Sequence, residues 1–214
     1  LSNDGTSEYI DKIAKQYPEN IKIYRKPKGE FWDGKIEMCN TILRNLKKEC
    51  LLWQIDIDEF WTSNQIETVV KMFKKHLGKT VAWFYCRFFV GPRLVVTSRG
   101  TYSNNTDYEW LRVWRYKPGM IWTAHEPPTL IFRSWLGDHD MRKLNPFLHE
   151  ETEAHGLVFD HYAYVLPKQL SFKESYYGYQ DALRQWERLQ KWEEFPIYLR
   201  DFFGWVKDNA VVEI

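Results

Sequence analysis

The segment Leu51-Leu52-Trp53-Gln54-Ile55-Asp56-Ile57-Asp58-Glu59-Phe60 passes directly from an apolar run to three carboxylates. Leu51 to Ile55 reads as a short buried strand, and the acids stand at its carboxyl end. Upstream, Ile10, Ile13, Ala14 and Tyr17 repeat at helical spacing before Pro18. Ile21 and Ile23 then suggest a strand. Ile36, Cys39, Leu43 and Leu46 share one face of a helix expected over 33–48, with Lys47 and Lys48 in its last turn, where the dipole favours cations. Helix, strand, helix, strand is the alternation of an α/β fold with a mostly parallel sheet flanked by helices, which places ligands beyond the carboxyl ends of its strands.

Three clustered carboxylates are costly to hold near an apolar strand unless a cation offsets them, and oxygen donors select a hard ion such as Mg²⁺ or Mn²⁺. If the strand continues through the acids, Asp56 and Asp58 lie on one face and Glu59 on the other, making the two aspartates the metal-facing pair. A solvated acidic turn is the alternative.

Farther along, Asn64 with Glu67 three residues on suggests a capped helix ending at Gly78. Val81 to Phe89, Leu94 to Val96 and Leu111 to Tyr116 read as strands, and the polar Ser103–Thr106 stretch as a loop. From Arg133 to His155 no period is visible, which suggests a loop over the site. A strand near Leu157–Phe159, a long helix from Lys168 to Trp192 and a short aromatic helix over 198–205 complete the pattern.

Two further segments offer chemistry. In Trp122-Thr123-Ala124-His125-Glu126-Pro127-Pro128 a carboxylate precedes two stiffening prolines, and Glu126 suits a general base toward a hydroxyl. In Phe159-Asp160-His161-Tyr162 a histidine sits among aromatics, as either a hydrogen-bonded core residue or a metal ligand. Lys35, near a helix start, is placed to meet a phosphate or to be ordinary surface. Arg112 and Arg115 fall on opposite faces of one strand, so at most one points into a site.

Several of these pieces, in order, resemble the family-2 glycosyltransferases of the GT-A fold. Ser2-Asn3-Asp4-Gly5-Thr6 is similar to the end of an STDGT segment, and Gly34-Lys35 with Met38-Cys39-Asn40 to the helix start that follows it. Asp56-Ile57-Asp58-Glu59 resembles the DxD(E) motif. Leu111 to Arg115, Pro118-Gly119 and His125-Glu126 resemble the R-L-F-R…pG…HE stretch of a bacterial and large-DNA-virus branch, and His161-Tyr162-Ala163-Tyr164 its H-Y-G-Y, with Ala163 in place of Gly. The resemblance covers residues 2 to 164 and implies a single GT-A domain, its nucleotide-binding part over about 1–62 and its acceptor part over about 63–214. It further implies sugar transfer with inversion from a nucleotide diphosphosugar, a UDP-sugar above all, to a glycan or glycoprotein hydroxyl. Asp4, Lys35, Asp56 and Asp58 would then contact the donor; Asp56, Asp58 and His161 would hold Mn²⁺ or Mg²⁺; Glu126 would be the catalytic base.

Composition narrows the field. The 30 Lys+Arg and 29 Asp+Glu leave a formal charge of +1, which calls for no nucleic acid partner. No apolar run approaches the ~20 residues of a membrane span. With no visible leader and three dispersed cysteines, the expected compartment is a reducing cytoplasm, bacterial or that of a virus-infected host, although the chain also reads as a domain excised from a longer protein. Aromatic residues make up 17% of the chain, with 11 Trp, and serve core packing or sugar stacking. Two other functions therefore stand beside the transferase: a carbohydrate-binding module without turnover, and a metal-dependent phosphoesterase.

Overall fold

The computed structural model describes residues 5–214; Asp4 lies outside the described residues. The chain divides into two compact units, Leu1–Lys47 and Lys48–Ile214. In the first, α1 (Thr6–Gln16) and α2 (Gly34–Asn45) are the two expected helices. Arg25 Nη1 bonds Asp11 at 3.0 Å, and Lys26 pairs with Glu37, whose carboxylate also accepts from the Asp33 amide ahead of α2. Gly34 turns the chain into α2 at φ 73, a conformation that suits glycine. Ile21 to Tyr24 form no strand.

The second unit is β-rich. It runs β1 (Cys50–Trp53), β2 (Glu59–Phe60), α3 (Ser63–Lys75), β3 (Val81–Trp83), β4 (Tyr85–Phe89), β5 (Val95–Val96), β6 (Leu111–Tyr116), β7 (Ile121–His125), β8 (Pro128–Ser134) and β9 (Gly137–Asp140). There follow α4 (His149–Glu153), β10 (Val158–His161), α5 (Pro167–Tyr177), α6 (Ala182–Gln190), β11 (Ile197–Tyr198) and β12 (Val211–Glu213). One sheet has the order β1-β6-β3, a second β11-β12-β5-β4-β10-β2, and a third β7-β8-β9. The second sheet is mixed, as expected, with β4 and β10 parallel. The balance differs from expectation: every other strand pairing among the described residues is antiparallel, including β1, which pairs with β6 rather than with a parallel neighbour.

The run Val81 to Phe89 divides at Phe84, so that β3 joins the first sheet and β4 the second. A register shift between Ala82 and Trp83 bends the chain there. Because both halves are covered on two faces, nearly every residue of the run is buried, and no alternation marks the break. Trp53, Trp61, Phe84 and Phe159 pack ring on ring across this junction, with centroids 4.7–6.5 Å apart, so much of the aromatic content serves the core.

Other boundaries moved for identifiable reasons. Thr62, not Asn64, caps α3: its hydroxyl accepts from the Gln65 amide while the Gln65 side chain returns to the Thr62 amide. The aperiodic stretch 133–155 is ordered as the β8–β9 hairpin, a 3₁₀ turn and α4, because short elements carry little periodicity. The long helix expected to Trp192 is two helices, broken where Gly178 adopts φ 71 and Asp181 φ 55. Residues 198–205 begin with β11 and a 3₁₀ turn rather than an α-helix.

Candidate functional site

β2 and β10 bring the acids to the histidine. In their antiparallel register His161 stands opposite Glu59, and Asp160 opposite Phe60. Alternation sends Asp160 to the other face, where it pairs with Arg87. The Tyr162 amide donates to the Asp58 carbonyl at 2.9 Å and pins the turn. Asp58 Oδ2 lies 3.3 Å from His161 Nε2. Burial works against the Asp58 charge, but the hydrogen bond to His161 and the nearby Lys173 ammonium outweigh it and hold the carboxyl below the ordinary aspartate value.

The His161 ring is gripped edge-on by Phe88 and Trp110, centroids 5.0 and 4.8 Å away. Its Nδ1 is buried without a hydrogen-bond partner. Trp110 sits at φ 61, a costly conformation for a bulky residue, and is held there by its indole bond to the Ser103 carbonyl and by Arg112 stacked 4.9 Å from its ring centroid.

The acids do not share a strand face. Residues 54–58 form an irregular segment and turn, and alternation does not apply to them. Glu59 turns inward to Arg112, whose Nε donates to both carboxylate oxygens at 2.9 and 3.1 Å and whose Nη2 also bonds it. Asp56 Oδ2 accepts from the same Nη2 at 3.2 Å. Burial pushes the Glu59 carboxyl up and Arg112 opposes it. Arg115, on the opposite face of β6, bonds the Phe73 and Lys79 carbonyls at the end of α3. Arg112 is thus the one of the pair that meets the acids.

Glu126 is exposed at the β7–β8 turn. Its charge reaches Glu109, Tyr108 and Tyr179. Glu109 belongs to no motif, and its one local signal is Asn105 four residues upstream, whose amide donates to Glu109 Oε2 at 2.7 Å. Burial, reinforced by Glu126 and Asp208, pushes the Glu109 carboxyl up to about 7. A carboxyl raised above its unfolded value of roughly 4.3 contributes stability below that pH and loses it as pH rises through the folded value. The thermal midpoint is therefore expected to fall between pH 5 and about 7.5, and Glu109→Gln to flatten that slope, by at most ~4 kcal/mol at 1.36 kcal/mol per unit. Differential scanning fluorimetry across pH checks it; equal slopes in both proteins would refute it.

The family model described as "Glycosyl transferase family 2" matches residues 1–140. The chain belongs to glycosyl transferase family 2. No curated protein and no solved structure gives a significant match. The mixed α/β architecture is that of the family's GT-A fold. The match takes in Asp56, Asp58, Arg112 and Glu126 and stops before His161 and α5. Among the described residues no helix is long and apolar enough to cross a membrane.

The DxD-like segment Asp56–Glu59 carries the implication of a divalent metal. No three His, Cys, Asp or Glu side chains among the described residues converge on a ready-made cage. A magnesium-type ion needs none: it takes one or two protein ligands and completes its shell with phosphate oxygens and water. Asp58, partly exposed, offers one such ligand, and His161 Nε2, 3.3 Å away, offers a second when its imidazole is neutral. The remaining donor residue, Asp56, is held by Arg112, and Lys35 is exposed in the first turn of α2 within the first unit.

Proposed function

We propose that this glycosyltransferase moves a sugar, with inversion, from a UDP-sugar to a hydroxyl of a glycan or glycoprotein, in a reaction that depends on Mn²⁺ or Mg²⁺. The observation that carries the reading is the contact of Asp58 with His161 at the sheet edge, which offers two ligands suited to a divalent metal beside a diphosphate. Asp58 and His161 would hold the ion, and Asp56 would take the donor ribose or share the ion. Bound there, the metal would offset the negative charge that grows on the departing diphosphate. On the motif resemblance alone, Asp4 and Lys35 are assigned to the donor as well.

Glu126 is the proposed base. Its carboxylate accepts the proton of the acceptor hydroxyl as that oxygen bonds to the anomeric carbon, while the bond from that carbon to the diphosphate breaks and UDP departs with the electron pair. An exposed carboxylate on a hairpin turn is accessible to an incoming hydroxyl. Arg112 acts indirectly, fixing the acidic segment through Asp56 and Glu59.

Calorimetric titration of UDP, with GDP as control, tests the reading. UDP is expected to bind only in the presence of Mn²⁺ and GDP weakly or not at all. Glu126→Gln is expected to keep UDP binding and to slow transfer by about 10²–10⁴-fold. No binding of either nucleotide with any metal would sink the proposal.

A further inference from the structure

The C-terminal end of α5 carries an exposed aromatic array that no motif explains and that lies beyond the family match. Phe172, Tyr176 and Tyr177 are 54%, 70% and 56% exposed. Phe172 and Tyr176, one helical turn apart, stack at 5.1 Å and 13°. Tyr176 meets Tyr177 edge-on at 4.9 Å, and Tyr177 lies 5.7 Å from Tyr179. Gly178, at φ 71, reverses the chain so that Tyr179 lies flat on Trp205 at 4.5 Å and 15°. The array thus runs from open solvent inward to the core side of Trp205, which stacks in turn on Phe203.

Packed rings link this array to the candidate metal site. Lys173, from the same helix, sits over the rings of Tyr164 and Tyr177 at 5.0 and 5.3 Å, and Tyr164 packs 5.4 Å from Phe88, the ring that grips His161. Tyr179 and Trp205 also line a groove of about 580 Å³ that carries Gln180, Asp181, Arg188 and Arg200.

We infer that the Phe172–Tyr176–Tyr177–Tyr179 face is the acceptor platform and that the acceptor it takes is a carbohydrate chain. The inference rests on the transferase reading of Asp58 and Glu126 and adds the surface that seats the acceptor. A pyranose ring has a C–H face that lies on an aromatic ring and an edge of hydroxyls that needs donors and acceptors. Rings bordered by carboxylates, guanidinium groups and an amide offer both. A membrane surface fits less well, because an interfacial helix needs a broad apolar face with a strongly basic one opposite. On α5, Leu170 is buried in the core, and Lys168, Lys173 and Glu174 mix both signs.

The test titrates cellohexaose, maltohexaose and N-acetylchitohexaose into the wild type, Tyr176→Ala/Tyr177→Ala and Tyr176→Phe/Tyr177→Phe, with UDP plus Mn²⁺ titrated into the same three proteins. At least one oligosaccharide is expected to bind the wild type. Losing two stacked rings is expected to weaken it about tenfold or more, and the Phe pair, which keeps the rings, to bind within about threefold. UDP binding is expected to be equal in all three proteins. The platform is overturned if no hexasaccharide binds, if the Ala pair binds as the wild type does, or if the Tyr-dependent ligand is instead a vesicle of phosphatidylcholine and phosphatidylglycerol. Failure of UDP to bind the wild type sinks the donor reading alone; oligosaccharide binding that depends on the Tyr pair would still support the platform.

Discussion

Arg112→Ala is expected to lower the unfolding free energy by about 3–5 kcal/mol, because it strands a buried carboxylate without its cation. The Glu59 side chain is fully buried and that of Arg112 is 5% exposed, so neither charge has water to fall back on. The guanidinium also stacks on Trp110 and bonds the Leu111 carbonyl, so packing is lost with the charge. Glu59→Leu combined with Arg112→Met removes both charges and retains volume; it is expected to regain most of the stability, as buried ion pairs replaced by apolar groups commonly do. The double variant nevertheless lacks the Nη2 bond to Asp56, so it is expected to fold well and bind UDP poorly. Denaturant unfolding of the single and double variants decides the first point, and calorimetry the second. A single variant as stable as the wild type would show that Glu59 is neutral or hydrated and would remove the pair from its structural role.

Asp58→Asn is expected to abolish metal-dependent UDP binding and to reduce transfer by about a thousandfold or more, the scale of losing a charged ligand at a diphosphate site. The replacement is nearly isosteric, and the Tyr162 bond to the Asp58 carbonyl belongs to the backbone, so the turn is expected to survive. Only the charge is removed. Because the folded carboxyl is held below its unfolded value, its contribution to stability is present above that unfolded value and lost as pH falls through the folded one. At neutral pH the variant therefore loses that contribution, a modest one given that the Asp58 side chain is 31% exposed. A normal UDP titration in Asp58→Asn would place the donor phosphates elsewhere. A thermal midpoint that collapsed with binding would instead mark Asp58 as structural.

Much of the site was legible along the chain because its residues come from compact local patterns. The apolar run before three acids, the histidine among aromatics and the Glu ahead of two prolines each announce themselves within a few residues. Their mutual arrangement does not. Alternation pairs Asp56 with Asp58 only if the strand continues, and it stops at Trp53, where the chain turns and hands Asp56 to Arg112 and Asp58 to His161. Glu109 was invisible because a raised carboxyl is a property of surroundings: burial and the like charges of Glu126 and Asp208, distant in sequence, produce it.

The same division holds for the fold. Helical periodicity located α1, α2 and α3, and the family match followed from ordered motifs, because these are encoded by neighbours in sequence. Which strand pairs with which, and in what direction, depends on contacts across a hundred residues. β4 lies parallel to β10, β1 antiparallel to β6, and one buried run from Val81 to Phe89 serves two sheets. A strand covered on both faces carries no polar alternation to report its partner, so only packing against the rest of the chain selects among the possible ladders, and with them the neighbours of Asp58 and His161.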